Sequence, residues 1–437
     1  MTNSIKGTHL EDVGLINLPS GWDIVEIQDL LSSDRGISVG VMYPGEHDPK
    51  GIPLVKVGDL TSNSINIYPD FYITPEKHYE YRRTAFEGGE LLVTLVGALG
   101  HCAVVPESMR GWNAARAIAV LRLKNSQDAE FIRFCLLSPP LNKLINVWAN
   151  TSVQATINLK EIKKLPIPFP EIKERTNIVD FLSCLDRKIS NLRQQNETLE
   201  SIAQTLFKHW FVDFEFPNED GKPYKSSGGA MVRSDLGDIP VGWAALSLGE
   251  ISTNHSETHK FENKSEIIFV NTGDVLEGNF LHQNYSLVST LPGQAKKRIK
   301  KHDILYSEIR PINRRFAYVN FSENLDNYVV STKFMVIRSN DKILSRLLSL
   351  ILTRNSMVQE FQITAESRSG TFPQITFESI SRFPVVIPQI TTQEKLMKVI
   401  TPLLEKREFN TKQIQTLTHT RDRLLPKLMS GQLRIPE

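Results

Sequence analysis

The 437-residue sequence lacks the features that mark several large classes of protein. Its three cysteines, Cys102, Cys135 and Cys184, are far apart and odd in number, so neither a disulfide framework nor a zinc site is predicted. The longest apolar stretch, 91–105, is interrupted by glycine and histidine and is too short to cross a bilayer. No basic region followed by an apolar run marks a signal peptide at the start. A protein of the reducing cytoplasm is therefore expected.

Motifs of catalytic sites are also missing. There is no glycine-rich loop followed by Lys and Ser/Thr that would hold the phosphates of ATP, and no paired histidines spaced for zinc. The run from Gly97 to Gly100 resembles a nucleotide-binding turn, but it joins two predicted antiparallel strands instead of opening a helix. The prolines at 139 and 140 lack the amide and the aromatic neighbour of an amino-methyltransferase motif. We interpret the chain as a recognition protein, not an enzyme, and predict no catalytic or metal-binding residue.

Positive and negative residues are nearly equal in number. The chain has 51 Lys and Arg against 49 Asp and Glu, a formal net charge of +2. It is not a polycation as a whole, so any binding to nucleic acid must come from local patches or from partners that supply charge.

What the sequence does contain is an internal repeat. The run 165–172 returns as 383–390, with an offset of 218 residues between Pro170 and Pro388. Near the start of each copy, the run 18–22 returns as 239–243. Each copy is long enough to bury a core of its own. The repeat therefore predicts two similar domains that present two similar surfaces.

Each copy mixes the patterns of strands and helices. The strands predicted in copy one are 53–60, 90–94, 102–105 and 118–122, and those in copy two are 267–275, 303–307, 317–319 and 334–338. Helices are predicted at 129–137 and 342–354. This mixture predicts α+β domains.

After each proline-rich strand the apolar period changes to seven. In copy one the repeat continues over ten positions: Ile178, Leu182, Leu185, Ile189, Leu192, Asn196, Leu199, Ala203, Leu206 and Trp210. A seam of this length with one polar Asn predicts a coiled coil in preference to a plain core helix. Copy two places Arg407, Asn410 and Arg421 on its seam, so its helix is predicted to be the weaker partner. These arginines could instead face a partner protein.

The predicted fold class is α+β, with two pseudo-symmetric globular domains joined by two long helices that form an antiparallel coiled coil. The predicted boundaries are 1–170 for the first domain, 171–217 for a central helical spacer, 218–238 for a linker, 239–388 for the second domain and 389–437 for a C-terminal helical spacer.

Basic residues recur at the same place in both copies. Arg82 and Arg83 precede the strand at 90–94, and Lys296, Lys297 and Arg298 precede the strand at 303–307. A basic run is usually a solvated face, but its recurrence makes contact with DNA an equally good interpretation.

The turn after that strand differs between the copies. It carries His101 in copy one and Arg310, Asn313, Arg314 and Arg315 in copy two. Arginine forks match phosphate oxygens and the edge of guanine, and asparagine can pair with adenine. Alternatively, Arg314 and Arg315 merely solubilise a hairpin tip. Different tips on one scaffold predict two readers of different DNA sequences.

A polar loop near the end of each copy supplies further candidates. It carries Gln154 in copy one and Arg368 and Gln374 in copy two. Either loop lines a groove or caps the next helix.

Three runs carry a family resemblance: Leu206 to Pro217, Ile239 to Trp243, and Leu424 to Leu433. With the tandem architecture, they resemble the specificity subunit of type I restriction-modification systems over essentially the whole chain. The resemblance implies a non-catalytic subunit with two target-recognition domains, one for each half of a bipartite double-stranded DNA target. It also implies docking of methyltransferase subunits, two being expected, and of restriction subunits with translocase and endonuclease activity. S-adenosylmethionine, ATP and Mg²⁺ would then belong to the partner subunits, and no cofactor to this chain.

Two other functions stay open. Binding of cofactor by the isolated chain would favour a stand-alone DNA methyltransferase. A lack of salt-dependent binding to duplex DNA would favour a tandem protein-interaction scaffold without DNA binding.

Overall fold

The computed structural model describes residues 18–33, 35–61, 64–149, 155–261, 263–368 and 371–435. The chain divides into two compact units. Unit 1 comprises Met1–Leu192 and Gln413–Glu437, and unit 2 comprises Arg193–Lys412. Each unit holds one sequence repeat together with part of each long helix.

Unit 1 mixes strands with helices, as the pattern predicts. Its strands are β1 (Asp23–Glu26), β2 (Ile37–Val39), β3 (Ile52–Val55), β4 (Tyr72–Ile73), β5 (Leu91–Thr94), β6 (Cys102–Val104), β7 (Asn113–Ala114), β8 (Ile118–Leu121) and β9 (Pro166–Phe169). Its helices are α1 (Ile27–Leu30), α2 (Pro75–Glu80), α3 (Ala129–Leu137), α4 (Pro139–Trp148) and α5 (Leu159–Lys163), followed by α6 (Ile172–Phe211), which ends in unit 2.

The main sheet of unit 1 has the strand order β2-β8-β5-β6, with antiparallel neighbours. Side chains of β5 alternate between two cores because successive residues of a strand point to opposite faces. Leu91 and Val93 join the core built with α3, whereas Leu92 joins a second core that contains Phe86. A smaller sheet has the order β4-β3-β7, and β1 pairs with the proline-rich β9.

Unit 2 carries the same kinds of element. Its strands are β10 (Met231–Ser234), β11 (Gly237–Pro240), β12 (Trp243–Ser247), β13 (Ser252–His255), β14 (Glu266–Val270), β15 (Val275–Leu276), β16 (Asn279–Phe280), β17 (Ser286–Leu287), β18 (Ala295–Lys297), β19 (Ile304–Ser307), β20 (Phe316–Tyr318), β21 (Tyr328–Ser331), β22 (Phe334–Ser339) and β23 (Pro384–Pro388). Its helices are α7 (Leu248–Ile251), α8 (Ser345–Thr353), α9 (Asn355–Arg368) and α10 (Phe377–Ile380), followed by α11 (Ile390–Met429), which ends in unit 1.

The two units share one internal topology. The order β13-β22-β19-β20 in unit 2 matches β2-β8-β5-β6 in unit 1. Strand β14 lies parallel to β21 as β3 does to β7, and β12 pairs with β23 as β1 does with β9. The predicted α+β class and the repeat are confirmed at this level.

The repeated Pro-x-Gly-Trp turn has the same backbone conformation in both units. Gly21 and Gly242 have φ of 87° and 84°, which glycine adopts without the strain that a Cβ would bring. The tryptophans that follow, Trp22 and Trp243, are both buried. In unit 2 the Trp243 ring stacks on Phe216, with 5.2 Å between the ring centroids.

The predicted heptad seam of α6 is confirmed, since its ten positions are all buried or half-buried. In unit 1, α6 runs antiparallel to the end of α11. Glu174 pairs with Arg434 at 2.8 Å, and Asp186, further along α6, pairs with Arg421 at 2.8 Å, earlier in the chain.

In unit 2 the remaining halves of the two helices are also antiparallel. The amide of Asn196 donates to the Thr411 hydroxyl at 3.1 Å, and Glu200 lies 3.1 Å from Arg407. Asn410 is fully buried and its amide donates to Gln195 at 3.3 Å.

The seam arginines are not left for a partner protein, which corrects that expectation. Arg407 pairs with Glu200 and also donates to the Glu277 carbonyl at 3.1 Å. Burial lowers the pKa of Arg421, but hydrogen bonds to Asp186 and Asp422 outweigh this and hold the pKa above its ordinary value. Carboxylates of the opposite helix face these positions, so the arginines stabilise the helix pair.

The segment predicted as a linker, 218–238, folds against unit 2. Strand β10 pairs with β11 in an antiparallel hairpin, and the Tyr224 ring stacks on Phe216 with 4.6 Å between centroids. This glycine- and serine-rich segment is therefore a folded part of unit 2.

The helix predictions hold in part. Helix α3 has its predicted bounds, and α8 begins three residues later than predicted, at Ser345. Helices α4 and α9 were not predicted. Helix α4 begins at Pro139, and this proline made a helix start hard to recognise in the sequence. Proline is nevertheless common in the first turn of a helix.

Candidate nucleic-acid interface

In unit 1 the β5–β6 turn lies beside the segment that precedes α5. Val96 forms an antiparallel bridge with Thr156, and the Ile157 amide donates to the Leu95 carbonyl at 3.0 Å. The Gly97 amide points to the Ala155 carbonyl at 3.4 Å. We call residues 96–101, 116 and 155–156 recognition surface 1.

Unit 2 repeats this arrangement bond for bond. Ile309 forms a bridge with Gln374, and the Ile375 amide donates to the Glu308 carbonyl at 2.8 Å. The Arg310 amide donates to the Pro373 carbonyl at 3.1 Å, which makes Arg310 the counterpart of Gly97. We call residues 308–315, 333 and 373–374 recognition surface 2. The tip and the polar loop, predicted separately, thus form one surface in each unit.

The tip of recognition surface 2 has an unusual backbone. A 3₁₀ turn at Pro311–Asn313 is flanked by Arg310 and Arg314, with φ of 42° and 53° in the left-handed region that disfavours residues with a Cβ. Pro311 is buried, and the Ile312 amide donates to the Gln362 side chain at 3.1 Å. Packing against α9 holds the tip in this shape.

The four predicted polar residues of this tip fall into two groups. Arg310 and Asn313 are exposed, and their side chains make no hydrogen bond within the described part of the chain. Arg314 instead contacts Asn355 and Glu277, and Arg315 donates to the carbonyls of Gly273 and Val275, each at 3.1 Å. Two residues can therefore meet a ligand directly, whereas two fix the loop.

The other predicted residues of the two loops lie in different environments. Arg368, at the end of α9, donates to the Thr376 hydroxyl at 3.1 Å. Thr376 lies two residues after Gln374 in the chain. His101 is half-buried, with Nδ1 3.4 Å from the Leu60 carbonyl. Gln154 lies outside the described residues.

Sequence reasoning missed one basic residue of each surface. The Leu95 amide donates to the Ala117 carbonyl at 2.8 Å, which brings the exposed Arg116 into recognition surface 1. The Glu308 amide donates to the Lys333 carbonyl at 2.9 Å, which brings Lys333 into recognition surface 2. Arg116 precedes β8 and Lys333 precedes β22, which are equivalent strands of the repeat. Aligning the two copies could therefore have identified both residues as candidates.

The basic runs lie elsewhere and differ between the units. Arg82 and Arg83 are exposed on the 3₁₀ turn Arg82–Thr84, and Lys296 is exposed on β18. Lys297 is buried and its ammonium donates to the Phe334 carbonyl at 2.6 Å, so it is corrected from a surface candidate to a core residue. Burial lowers the pKa of Lys297.

Arg298 is neutralised within unit 2. Its guanidinium lies 2.7 Å from Asp326 and 3.4 Å from Glu257, and the hydrogen bond to Asp326 raises the pKa of Arg298. Glu257 also pairs with Lys300 at 3.2 Å. The basic residues that recur in the sequence therefore differ in burial and pairing between the two units, and their contact with DNA stays a prediction.

Two findings concern other kinds of site. Within the described residues, no group of three or more His, Cys, Asp or Glu side chains is placed to hold a metal ion. No helix found there is both long and apolar enough to span a membrane.

A family model described as "Type I restriction modification DNA specificity domain" matches this chain twice, at residues 19–201 and 240–419. The chain belongs to this family. The two matches correspond to the two repeats and extend into the long helices.

Similar specificity subunits support this assignment. The HindI specificity subunit of Haemophilus influenzae is 54% identical over 176 residues, which cover 40% of this chain and 38% of that protein. The MjaIX specificity subunit of Methanocaldococcus jannaschii is 25% identical over 451 positions, which cover 98% of both. The crystal structure of a type I S subunit from M. genitalium has a TM-score of 0.61 at 16% identity, covering 94% of this chain and 96% of that one, and so shares its fold.

Proposed function

We propose that this chain recognises a bipartite, asymmetric DNA target, with recognition surface 1 contacting one half-site and recognition surface 2 the other. The main support is the pair of equivalent residues Gly97 and Arg310. Both occupy a left-handed position at the same place in the same loop arrangement, with φ of 80° and 42°.

The arginine at this position carries a conformational cost that glycine would avoid. A left-handed non-glycine residue costs on the order of 1 kcal/mol, and such residues cluster at functional sites. Arg310 is nevertheless exposed and projects from a loop anchored by Arg315. A guanidinium can donate two hydrogen bonds to guanine in the major groove, and the nearby Asn313 can pair with adenine. Different side chains on one scaffold account for two different half-sites.

The catalytic steps are assigned to other subunits. The chain lacks the sequence motifs for binding ATP phosphates and for amino-methylation. We therefore propose that it is non-catalytic and docks two methyltransferase subunits and the restriction subunits. S-adenosylmethionine, ATP and Mg²⁺ would be bound by those partners.

The test uses Arg310→Gly in the full chain assembled with its partner subunits. Glycine removes the side chain but suits the backbone, so the loop should keep its shape. Preference for the correct base should fall by about 1–3 kcal/mol at one or two positions of a single half-site. Arg233→Ala, on the β10–β11 hairpin, is the matched control and should leave every position unchanged.

The readout is binding to a library of duplexes together with the methylation pattern. Equal loss of affinity for all duplexes would assign Arg310 to phosphate contact. An unchanged base preference in the assembled Arg310→Gly complex would remove recognition surface 2 from the proposal.

A further inference from the structure

A cleft of about 790 Å³ opens in unit 1, outside recognition surface 1. It lies between the edge strand β2 and the 3₁₀ turn Arg82–Thr84. Its lining includes three arginines, Arg35, Arg82 and Arg83, all exposed. Met42 forms an apolar part of the wall.

The described acidic side chains of this cleft do not balance its positive charge. Among the described residues, the acidic side chain in its lining is Glu80, which already pairs with Lys77 at 2.8 Å. The Arg82 guanidinium stacks over the Tyr79 ring at 4.7 Å, which orients it but leaves its charge in place. The Arg83 side chain makes no hydrogen bond or ion pair within the described part of the chain. An anion would therefore meet an excess of positive charge.

The cleft adjoins recognition surface 1 through the backbone at Gly40. The Gly40 amide donates to the Ile118 carbonyl at 3.1 Å, and Val41 pairs with Ala115. A Cβ on Gly40 would lie 2.1 Å from the Ala114 carbonyl oxygen, so the two segments are in close contact. Arg116, the basic residue of recognition surface 1, follows Ala115 directly in the chain and is exposed.

The basic run of unit 2 is partly neutralised among its described residues, although Lys296 stays exposed there. Lys297 is buried, and Arg298 and Lys300 share the carboxylate of Glu257. The two units therefore differ here in which basic side chains are paired or buried, although the strand orders around both places match.

We propose that the cleft of Arg35, Arg82 and Arg83 binds the sugar–phosphate backbone of the DNA beside the half-site that unit 1 recognises. This inference rests on the proposed function of recognition surface 1. Guanidinium groups form paired hydrogen bonds with phosphate oxygens, and such contacts fix the position of the protein without carrying sequence information. Neutralised phosphates release counterions, so the contact contributes salt-dependent affinity and not base preference.

The experiment measures binding of the assembled complex to its target duplex over a series of KCl concentrations. The variant Arg35→Gln/Arg82→Gln/Arg83→Gln should reduce the slope of log K against log salt by about 2–3, since each phosphate contact contributes about 0.9. Its base preference should stay unchanged. Arg83→Gln alone should reduce the slope by about 1, and it disrupts no contact of the described residues.

Two controls test whether the change in slope arises at the cleft. The unit 2 variant Arg298→Gln/Lys300→Gln alters cations that are already paired and should keep the parent slope. Shortening the duplex beside the unit 1 half-site should lower the slope of the parent to that of the triple variant and leave the triple variant as it was.

Three outcomes would contradict the inference. An unchanged slope with unchanged base preference would exclude the cleft and leave the proposed function intact. Failed assembly of the triple variant, with a parent slope for the complexes that do form, would show that an acidic protein surface occupies the cleft. A parent complex without any base preference would overturn the proposed function itself, and this inference with it.

Discussion

Arg338 donates two hydrogen bonds to the fully buried carboxylate of Asp303, from Nε at 2.7 Å and from Nη2 at 2.9 Å. The same carboxylate accepts the Lys300 amide at 2.7 Å. This ion pair connects the start of β19 to β22. Strand β19 leads directly into recognition surface 2. The buried carboxylate is stable here because Arg338 supplies a positive charge and because Arg338 and the Lys300 amide donate hydrogen bonds to it.

We expect Asp303→Asn to destabilise unit 2 by about 2–4 kcal/mol, because it leaves the partly buried Arg338 without a counter-ion. Hydrogen exchange of the β19 and β22 amides measures this loss locally. Glu90→Gln is the matched variant in unit 1, where Glu90 accepts the Glu87 and Gly88 amides and lies 3.5 Å from Arg122. It should raise exchange in β5 and β8. If each variant raised exchange equally in both units, the local origin of the effect would be wrong.

Asp186 makes a second connection, within unit 1. One of its oxygens lies 2.8 Å from Arg421 of α11 and the other 3.2 Å from Arg133 of α3. Asp186→Asn should cost about 1–3 kcal/mol because two largely buried guanidiniums lose their shared anion. The measurement is urea denaturation of the full chain. Asp422→Asn removes a more exposed partner of Arg421 and should cost less than about 0.5 kcal/mol. Equal losses from the two variants would contradict the role given to Asp186.

Unit 2 should lose stability as the pH falls below about 6.5, the ordinary histidine value. Burial lowers the pKa of both His255 and His302 in the folded chain, with Arg338 adding to the effect at His255 and Lys301 at His302. The folded state therefore binds fewer protons than the unfolded state, so stability present above the ordinary value is lost as the pH drops through the folded values.

Urea midpoints between pH 8 and pH 5, followed by hydrogen exchange in β13 and β19, measure this dependence. The variant His255→Gln/His302→Gln should flatten it in unit 2 and leave unit 1 unchanged. A dependence that survives in the double variant would assign it to other groups.

Periodic patterns explain why much of the fold was predictable. The heptad positions from Ile178 to Trp210 and the paired strands around Leu91 and Ile304 are set by local repeats of apolar residues, which the structure confirms. Lys297 was wrongly predicted to lie on the surface because the run of charged residues did not indicate a strand at β18. Both Ala295 and Lys297 are buried on this strand, with the exposed Lys296 between them.

Contacts between distant parts of the sequence could not be predicted in this way. The carboxylates that neutralise Arg407 and Arg421 lie on the opposite helix, at Glu200 and Asp186. Likewise, nothing local to Ile309 indicates that it pairs with Gln374. Such pairings depend on the complete fold, and they decide which basic residues are already paired within it.

The last prediction separates the proposed base contact of Arg310 from the role of Arg315 in holding the loop. Arg315 anchors the tip to the Gly273 and Val275 carbonyls, whereas the Arg310 side chain is free within the described part of the chain. Arg315→Ala should therefore weaken base preference in the same half-site as Arg310→Gly, because the loop loses its fixed geometry. In the double variant the two losses of base preference should not add. Once the Arg310 side chain is absent, a change in loop geometry can reduce base preference only slightly further. Binding of the parent, both single variants and the double variant to matched and mismatched duplexes gives the coupling. Additive losses would mean that Arg315 contacts the bases on its own.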